Sequence, residues 1–206
     1  MIDLYSFATG NGLRACIALA ECELEHNVQK VDPGIWGETK TPEFLALNPF
    51  GAIPVIVDHD GPDGSSLTLC QSSAILLYAA EKSGMFLPSD LACRALAYQW
   101  LMCATADVAG TNSALFMVPP ADPSKVQLTI DAFKNRMITY FSHIDHRLGE
   151  EEYLAGEISI ADLALYSFYA MRKTLIEMSG DLPNLKRWAD AMAARPGVAK
   201  GMTAFD

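Results

Sequence analysis

The feature that most constrains this chain is a change of period near residue 85. Before it, short aliphatic and aromatic runs alternate with segments whose apolar residues recur every three or four positions; after it, only the helical spacing recurs. Ile2 to Phe7 reads as a strand that stops at the breaker run Thr9-Gly10-Asn11-Gly12. Leu13, Cys16, Ile17, Ala20 and Leu24 then place residues 12–24 on an amphipathic helix, and Val28 to Val31 reads as a second strand. Thr41 offers a capping hydroxyl just ahead of Pro42, which predicts a short helix to Leu47. Beyond the loop Asn48-Pro49-Phe50-Gly51, Ile53 to Val57 reads as a strand with Pro54 near its start, where a missing N–H does least harm. Gly61-Pro62-Asp63-Gly64 turns the chain into Leu67 to Cys70 as hairpin partner. Ser72 is expected to cap a helix with Ile75, Leu76 and Ala79 on one face, stopped by Gly84. The order is β-α-β-α-β-β-α.

Phe86-Leu87-Pro88-Ser89 breaks this pattern. Residues 90–114, 124–148, 159–178 and 183–195 read as helices, with Pro119-Pro120 and Pro123 marking the first gap. The expected organisation is an α/β domain over residues 1–84, a linker over 85–89, and an all-α domain over 90–206. Within the last of these, Ser159 and Asp162 stand at capping-box spacing, so Asp162 is expected to contribute about 1 kcal/mol or more as a cap.

Half the residues are hydrophobic and 19% are charged, enough to bury a core rather than stay unfolded. A net charge of −10 opposes gripping phosphate backbones or anionic lipid, so neither nucleic acid nor membrane is an expected partner. The start Met1-Ile2-Asp3-Leu4 lacks the pattern of a secretory signal, and five cysteines without CxxC pairs read as reduced thiols; the expected location is cytoplasmic. His143 and His146 flank Asp145 without a third ligand, so no metal is expected.

Three loops in the first half carry the candidate chemistry. Thr9-Gly10-Asn11-Gly12 ends a strand and opens a helix, where unpaired N–H groups favour an anion such as a thiolate. Ile53-Pro54 presents backbone ahead of a strand, an edge with which a peptide can pair. Gln71-Ser72 opens another helix, suited to a carboxylate. Cys70, beside Gln71, could be a redox thiol, but a strand-end cysteine more often fills core.

In combination these motifs resemble the glutathione transferases. Asn48-Pro49-Phe50-Gly51-Ala52-Ile53-Pro54 is similar to that family's NPxGxhP loop, Gln71-Ser72-Ser73-Ala74-Ile75 to its [EQ]SxAI motif, and Gly156-Glu157-Ile158-Ser159-Ile160-Ala161-Asp162 to its GxxhSxAD box. Met1-Ile2-Asp3-Leu4-Tyr5 followed by Thr9-x-Asn11-Gly12 is most similar to the bacterial Nu class. The resemblance implies the glutathione transferase fold, a thioredoxin-like α/β N-terminal domain joined to an all-α C-terminal domain. It implies glutathione as co-substrate, a small hydrophobic electrophile or a disulfide as second substrate, and a homodimer. By it, Thr9 and Asn11 orient the sulfur as catalytic residues. Ile53 and Pro54 hold the cysteinyl backbone, Gln71 and Ser72 the γ-glutamyl end, and Lys40 is a candidate cation. Phe7, Trp100, Cys103, Phe116 and Tyr166 are implied for the second-substrate pocket.

The sequence also departs from the pattern. Gly10 replaces a usual proline, Ala52 a frequent lysine, Gln71 the commoner glutamate, and Ala132 an arginine; Arg14, Lys40 and Arg136 are the nearest cations. Three readings stay open: conjugation of an electrophile, glutathione-dependent disulfide reduction, and ligand binding without turnover.

Overall fold

A computed structural model describes residues 1–34, 37–117 and 123–206; the side chains of 116 and 123–125 lie outside the description, as does the Pro119-Pro120 break. Contacts group the described residues into two compact units, Met1–Leu87 with Ala193–Asp206, and Pro88–Met192.

The first unit contains β1 (Ile2–Ser6), α1 (Gly10–Glu21), β2 (His26–Lys30), a short 3-10 turn (Glu38–Lys40), α2 (Pro42–Leu47), β3 (Val55–Asp58), β4 (Leu67–Cys70), α3 (Ser72–Ser83) and the terminal α9 (Pro196–Met202). The strands form one sheet in the order β2-β1-β3-β4. β1 runs parallel to β2 and antiparallel to β3, with Tyr5 opposite Val55 and Leu4 opposite Ile56, and β3 pairs antiparallel with β4. Ile2, Leu4 and Ser6 are buried on one face of β1, the period-two signature of a strand. The third strand begins at Val55 rather than Ile53, because Pro54 cannot donate to the ladder; the Ile53–Pro54 peptide is cis.

Helix α1 is buried on every side rather than amphipathic: Leu13, Ala15, Cys16, Ile17, Ala18 and Leu19 are all within the core. The reason is α9, a helix absent from the sequence reading, which ended its last helix at residue 195. Arg195 precedes Pro196, and a residue before proline is pushed out of the helical region, so the chain breaks and restarts there. α9 packs against α1, close enough that a Cβ on Gly201 would lie 2.6 Å from the backbone of Ile17. Glu21 fastens the pair. Its buried carboxylate accepts from Arg195 Nε and Nη2 (2.8 and 2.6 Å) and from the Val198 N–H (2.9 Å).

Asp58, at the end of β3, is fully buried and accepts from the Tyr78 hydroxyl (2.6 Å), the Lys82 ammonium (2.6 Å) and the Asp60 N–H (3.0 Å). Burial works to raise its pKa, but the Lys82 and Tyr78 hydrogen bonds outweigh it and hold the carboxyl below its ordinary value. Such a depressed carboxylate stabilises the fold above its unfolded pKa of about 3.9, and that contribution disappears as pH falls through the native value. Asp58→Asn is therefore expected to cost about 2 kcal/mol at neutral pH, a cost that shrinks toward acid. Urea unfolding across a pH series checks this; a variant penalty independent of pH refutes it.

The second unit is helical: α4 (Leu91–Met102), a π-helical stretch (Cys103–Val108), α5 (Ala109–Met117), α6 (Pro123–Glu150), α7 (Ile160–Glu177) and α8 (Pro183–Ala193). The π-helical stretch separates α4 from α5, where the spacing predicted one helix; Thr105 Oγ1 donates back to the Leu101 carbonyl there (2.9 Å). At the start of α7 the Asp162 carboxylate accepts from the Ser159 N–H (2.9 Å) and hydroxyl (3.2 Å), completing the capping box. It also accepts from the Leu154 N–H (3.1 Å) and the Trp188 indole (2.9 Å). Trp188 is fully buried and meets Tyr166 and Tyr169 edge-on at 6.1 and 6.0 Å. No helix among the described residues is long and apolar enough to cross a membrane.

Candidate functional site

Two helix starts and one loop of the first unit converge. Asn11 on the first turn of α1, Ile53 and Pro54 ahead of β3, and Gln71 with Ser72 at the start of α3 line one recess of about 120 Å³, together with Asn48 and Ala52. That is below the roughly 300 Å³ of a complete small-molecule pocket, so the recess seats part of a ligand and the rest lies over its rim.

The junction is pinned from below by Arg14, a 1%-exposed side chain in the otherwise apolar run of α1. Its Nη1 donates to Ser72 Oγ (3.1 Å) and to Asn11 Oδ1 (3.4 Å), and Ser72 Oγ donates to Asn11 Oδ1 (3.3 Å). Burial draws the guanidinium down to about 9, still a cation at neutral pH. Because arginine only donates, the Asn11 atom facing it must be the carbonyl oxygen. That fixes the amide orientation and turns Nδ2, a donor, away from the pair.

Thr9 caps α1: its Oγ1 accepts from the Gly12 N–H (3.1 Å), which leaves the hydroxyl proton to donate elsewhere. Gly12 is required by close approach, since a Cβ there would lie 2.0 Å from the Phe7 carbonyl oxygen. Thr9 stands at the N-cap, one residue before α1, and does not line the recess.

Helix α3 starts differently from the sequence expectation. Gln71, not Ser72, is the N-cap, at φ 75° and ψ 113° with no side-chain cap. A non-glycine residue in that region is strained by order 1–3 kcal/mol, and such strain concentrates where a backbone must face a ligand. Asn48, buried and unnoticed as a site element, braces the loop: Nδ2 donates to the Ala52 carbonyl (2.6 Å) and Oδ1 accepts from the Phe50 N–H (3.2 Å). Its signal was the asparagine opening the loop motif, a residue suited to fold back on its own backbone. Lys40 lies outside the recess lining, and its ammonium donates to the Gly51 carbonyl (3.1 Å), one residue from Ala52.

The remaining candidates are distributed as follows. The Phe7 ring lies 6.2 Å from the Phe205 ring, with Lys30 over it at 5.5 Å. In the second unit Trp100 and Tyr166 are half-buried, and Cys103 begins the π-helical stretch, its thiol pushed up to about 11 by burial and then by Asp107. The Phe116 side chain lies outside the described residues. Arg136 donates to the Tyr140 hydroxyl (2.9 Å), which donates to Asp107 (3.2 Å). Cys70 packs with Val55, Phe44 and Val31 as core, and burial pushes the Cys16 thiol up to about 12. No group of three or more potential metal ligands occurs among the described residues.

A mixed four-stranded sheet with a cis-proline loop beside a helix start, followed by an all-helical unit, defines a thioredoxin-like domain joined to a helical one. Family models of the glutathione S-transferase N-terminal and C-terminal domains match residues 11–82 and 110–201. The chain belongs to the glutathione S-transferase family. It is 34% identical to the disulfide-bond oxidoreductase YfcG of Escherichia coli over 205 residues, covering 98% of this chain and 94% of that protein. Among solved structures, a glutathione transferase from Pseudomonas putida with one glutathione disulfide bound per subunit superposes with a TM-score of 0.89 at 28% identity, covering 100% of this chain and 92% of that one. One from Burkholderia graminis with two glutathione molecules bound per subunit gives 0.88 at 31% identity, covering 100% and 88%.

Proposed function

We propose that the chain is a glutathione-dependent enzyme of the Nu-like type, in which glutathione thiolate attacks a small hydrophobic electrophile or a disulfide. The observation that carries the reading is the Asn11–Ser72 junction held by Arg14, because it joins two helix starts at one recess. Both helix dipoles and their unpaired N–H groups then favour negative charge at one place. The tripeptide's sulfur faces Thr9 and Asn11, its cysteinyl backbone runs along Ile53-Pro54, and its γ-glutamyl end meets Gln71 and Ser72. The glycyl carboxylate turns toward Lys40, which already reaches the loop beside Ala52.

The donors suit a thiolate. The Thr9 hydroxyl and the Asn11 Nδ2 both have protons to give, since their acceptor atoms are engaged by Gly12 and by Arg14 with Ser72. Donation to the anion lowers the thiol pKa. In disulfide reduction the thiolate attacks one sulfur, forms a mixed disulfide and expels the other as a thiolate. A second glutathione thiolate then attacks the glutathione sulfur of that mixed disulfide, giving glutathione disulfide and a second product thiolate. The likeness to a relative named a disulfide-bond oxidoreductase supports this arm.

Asn11→Ala is expected to lower turnover about tenfold or more, an effect of the size seen when one donor to a developing anion is removed. Steady-state assays with glutathione on hydroxyethyl disulfide and on chloro-dinitrobenzene check both this variant and the reaction arm. Millimolar glutathione is also expected to raise the unfolding temperature, since ligand at 100 times its dissociation constant adds about 2.7 kcal/mol. No shift overturns the assignment of glutathione. A shift without turnover on either substrate favours the ligand-binding member.

The proposed domains are 1–84 for glutathione, 85–89 as linker and 90–206 as the helical part. Trp100, Cys103 and Tyr166 are retained as proposed contacts of the second substrate. A homodimer is supported by the face of α4, where Leu91, Tyr98 and Met102 are exposed at positions i, i+7 and i+11. Light scattering on the purified chain tests it. The proposed location is cytoplasmic.

A further inference from the structure

We propose that Phe205 is a positioning residue for the loop that carries Thr9, acting through the ring of Phe7. The inference rests on the reading of Thr9 as a sulfur donor given above. Its geometry is independent of that reading.

Phe7 leads into the loop. Its carbonyl accepts from the Thr9 N–H at 2.7 Å, and Gly12 packs against that same carbonyl so closely that no side chain fits. Wherever the Phe7 main chain moves, the Thr9 backbone and the first turn of α1 move with it. The residue after Thr9 is Gly10, which adds no side-chain restraint of its own. The ring of Phe7 is therefore a handle on this loop, and two groups grip it: Lys30 at 5.5 Å and Phe205 at 6.2 Å with the rings inclined at 38°.

Phe205 can serve as a fixed point because α9 is itself fixed. Glu21 clamps Arg195 and the Val198 N–H, and Gly201 lies flush on Ile17. Past α9 the chain turns tightly, with Thr203 Oγ1 donating to the Ala199 carbonyl (3.0 Å) and the Asp206 N–H to the Thr203 carbonyl (3.2 Å). The last residues thus deliver an aromatic ring to the front end of α1 from a helix anchored at its back end.

Phe205→Ala loosens this handle without touching any atom of the site. On chloro-dinitrobenzene with glutathione it is expected to lower kcat about tenfold, the scale of a small misplacement of a catalytic donor, while KM for glutathione changes less than about twofold. The acid-side limb of the pH–rate profile, on which the thiol ionises, is expected to move to higher pH, in the direction Thr9→Ala moves it. Phe205→Tyr, which keeps the ring, restores the wild-type values. Combined with Thr9→Ala, Phe205→Ala is expected to add little, because both act on one donor. If Thr9→Ala lowers the rate but Phe205→Ala leaves kcat unchanged, or multiplies the Thr9→Ala loss in full, the positioning role is overturned and the sulfur reading stands. If Thr9→Ala itself changes neither rate nor pH profile, the sulfur reading is overturned and this inference with it. Unfolding temperatures of all variants accompany the rates; a Phe205→Ala loss that Phe205→Leu fully restores, at equal unfolding temperature, assigns Phe205 to packing alone and overturns it too.

Discussion

Asp162→Ala is expected to destabilise the second unit by about 4 kcal/mol or more, beyond the roughly 1 kcal/mol that the capping pattern alone suggests. The difference lies in what else the carboxylate holds. Besides the Ser159 N–H and hydroxyl it accepts from the Leu154 N–H and the Trp188 indole, and the side chain is fully buried. Alanine leaves the Leu154 and Trp188 donors buried without that acceptor, each costing on the order of 1–3 kcal/mol in addition to the lost cap. Trp188 is the largest fully buried side chain among the described residues and touches Tyr166 and Tyr169, so its release propagates into the core of α7 and α8. Asp162→Asn keeps one carbonyl acceptor and is expected to lose distinctly less. Denaturant unfolding followed by tryptophan fluorescence measures both, and an alanine penalty confined to 1 kcal/mol refutes the role of Asp162 as a hub.

The second large effect is expected at Arg14. Arg14→Met keeps much of the volume and removes the donors shared by Asn11 and Ser72. Without a donor-only neighbour the Asn11 amide is no longer forced to present Nδ2, and the two helix starts lose their common tie. The catalytic efficiency with glutathione is expected to fall on the order of 100-fold, the scale of an ångström-sized misplacement at a reacting centre. The loss is expected to exceed that of Asn11→Ala, since Arg14 orients both ends of the tripeptide site. Equal efficiencies of Arg14→Met and wild type would falsify the proposal that this network organises the site.

How much of this was legible in advance differs element by element. The strand–helix order of the first 84 residues, the Thr41-Pro42 helix start and the Leu67–Cys70 hairpin partner follow from local signals that act within a few residues, and the structure has them. The capping box at Ser159 and Asp162 is equally local. Boundaries moved where the backbone decided them: β3 starts at Val55 because Pro54 has no N–H for the ladder, and the cap of α3 is Gln71 because the backbone turns through positive φ at that residue. The recess was legible as three motifs, and Asn11, Ile53, Pro54, Gln71 and Ser72 do meet in it, whereas Thr9 and Lys40 stand beside it. Asn48 as a brace was legible as the asparagine that opens the loop motif, since its contacts stay within four residues, whereas Phe205 against Phe7 depends on a contact across the fold and carried no local signal.

The sequence by itself determined the period change at residue 85, the segments that become strands and helices, and the loop motifs whose glycines, proline and hydroxyls need particular backbone shapes. Those are short-range consequences of dihedral preference and capping. Only the tertiary structure decided that α1 is buried all round, that Asp162 serves Trp188 and Leu154 as well as its own helix, and that one arginine ties Asn11 to Ser72. Each of these pairs groups far apart along the chain, and such a pairing is favoured only once burial removes water as the competing partner.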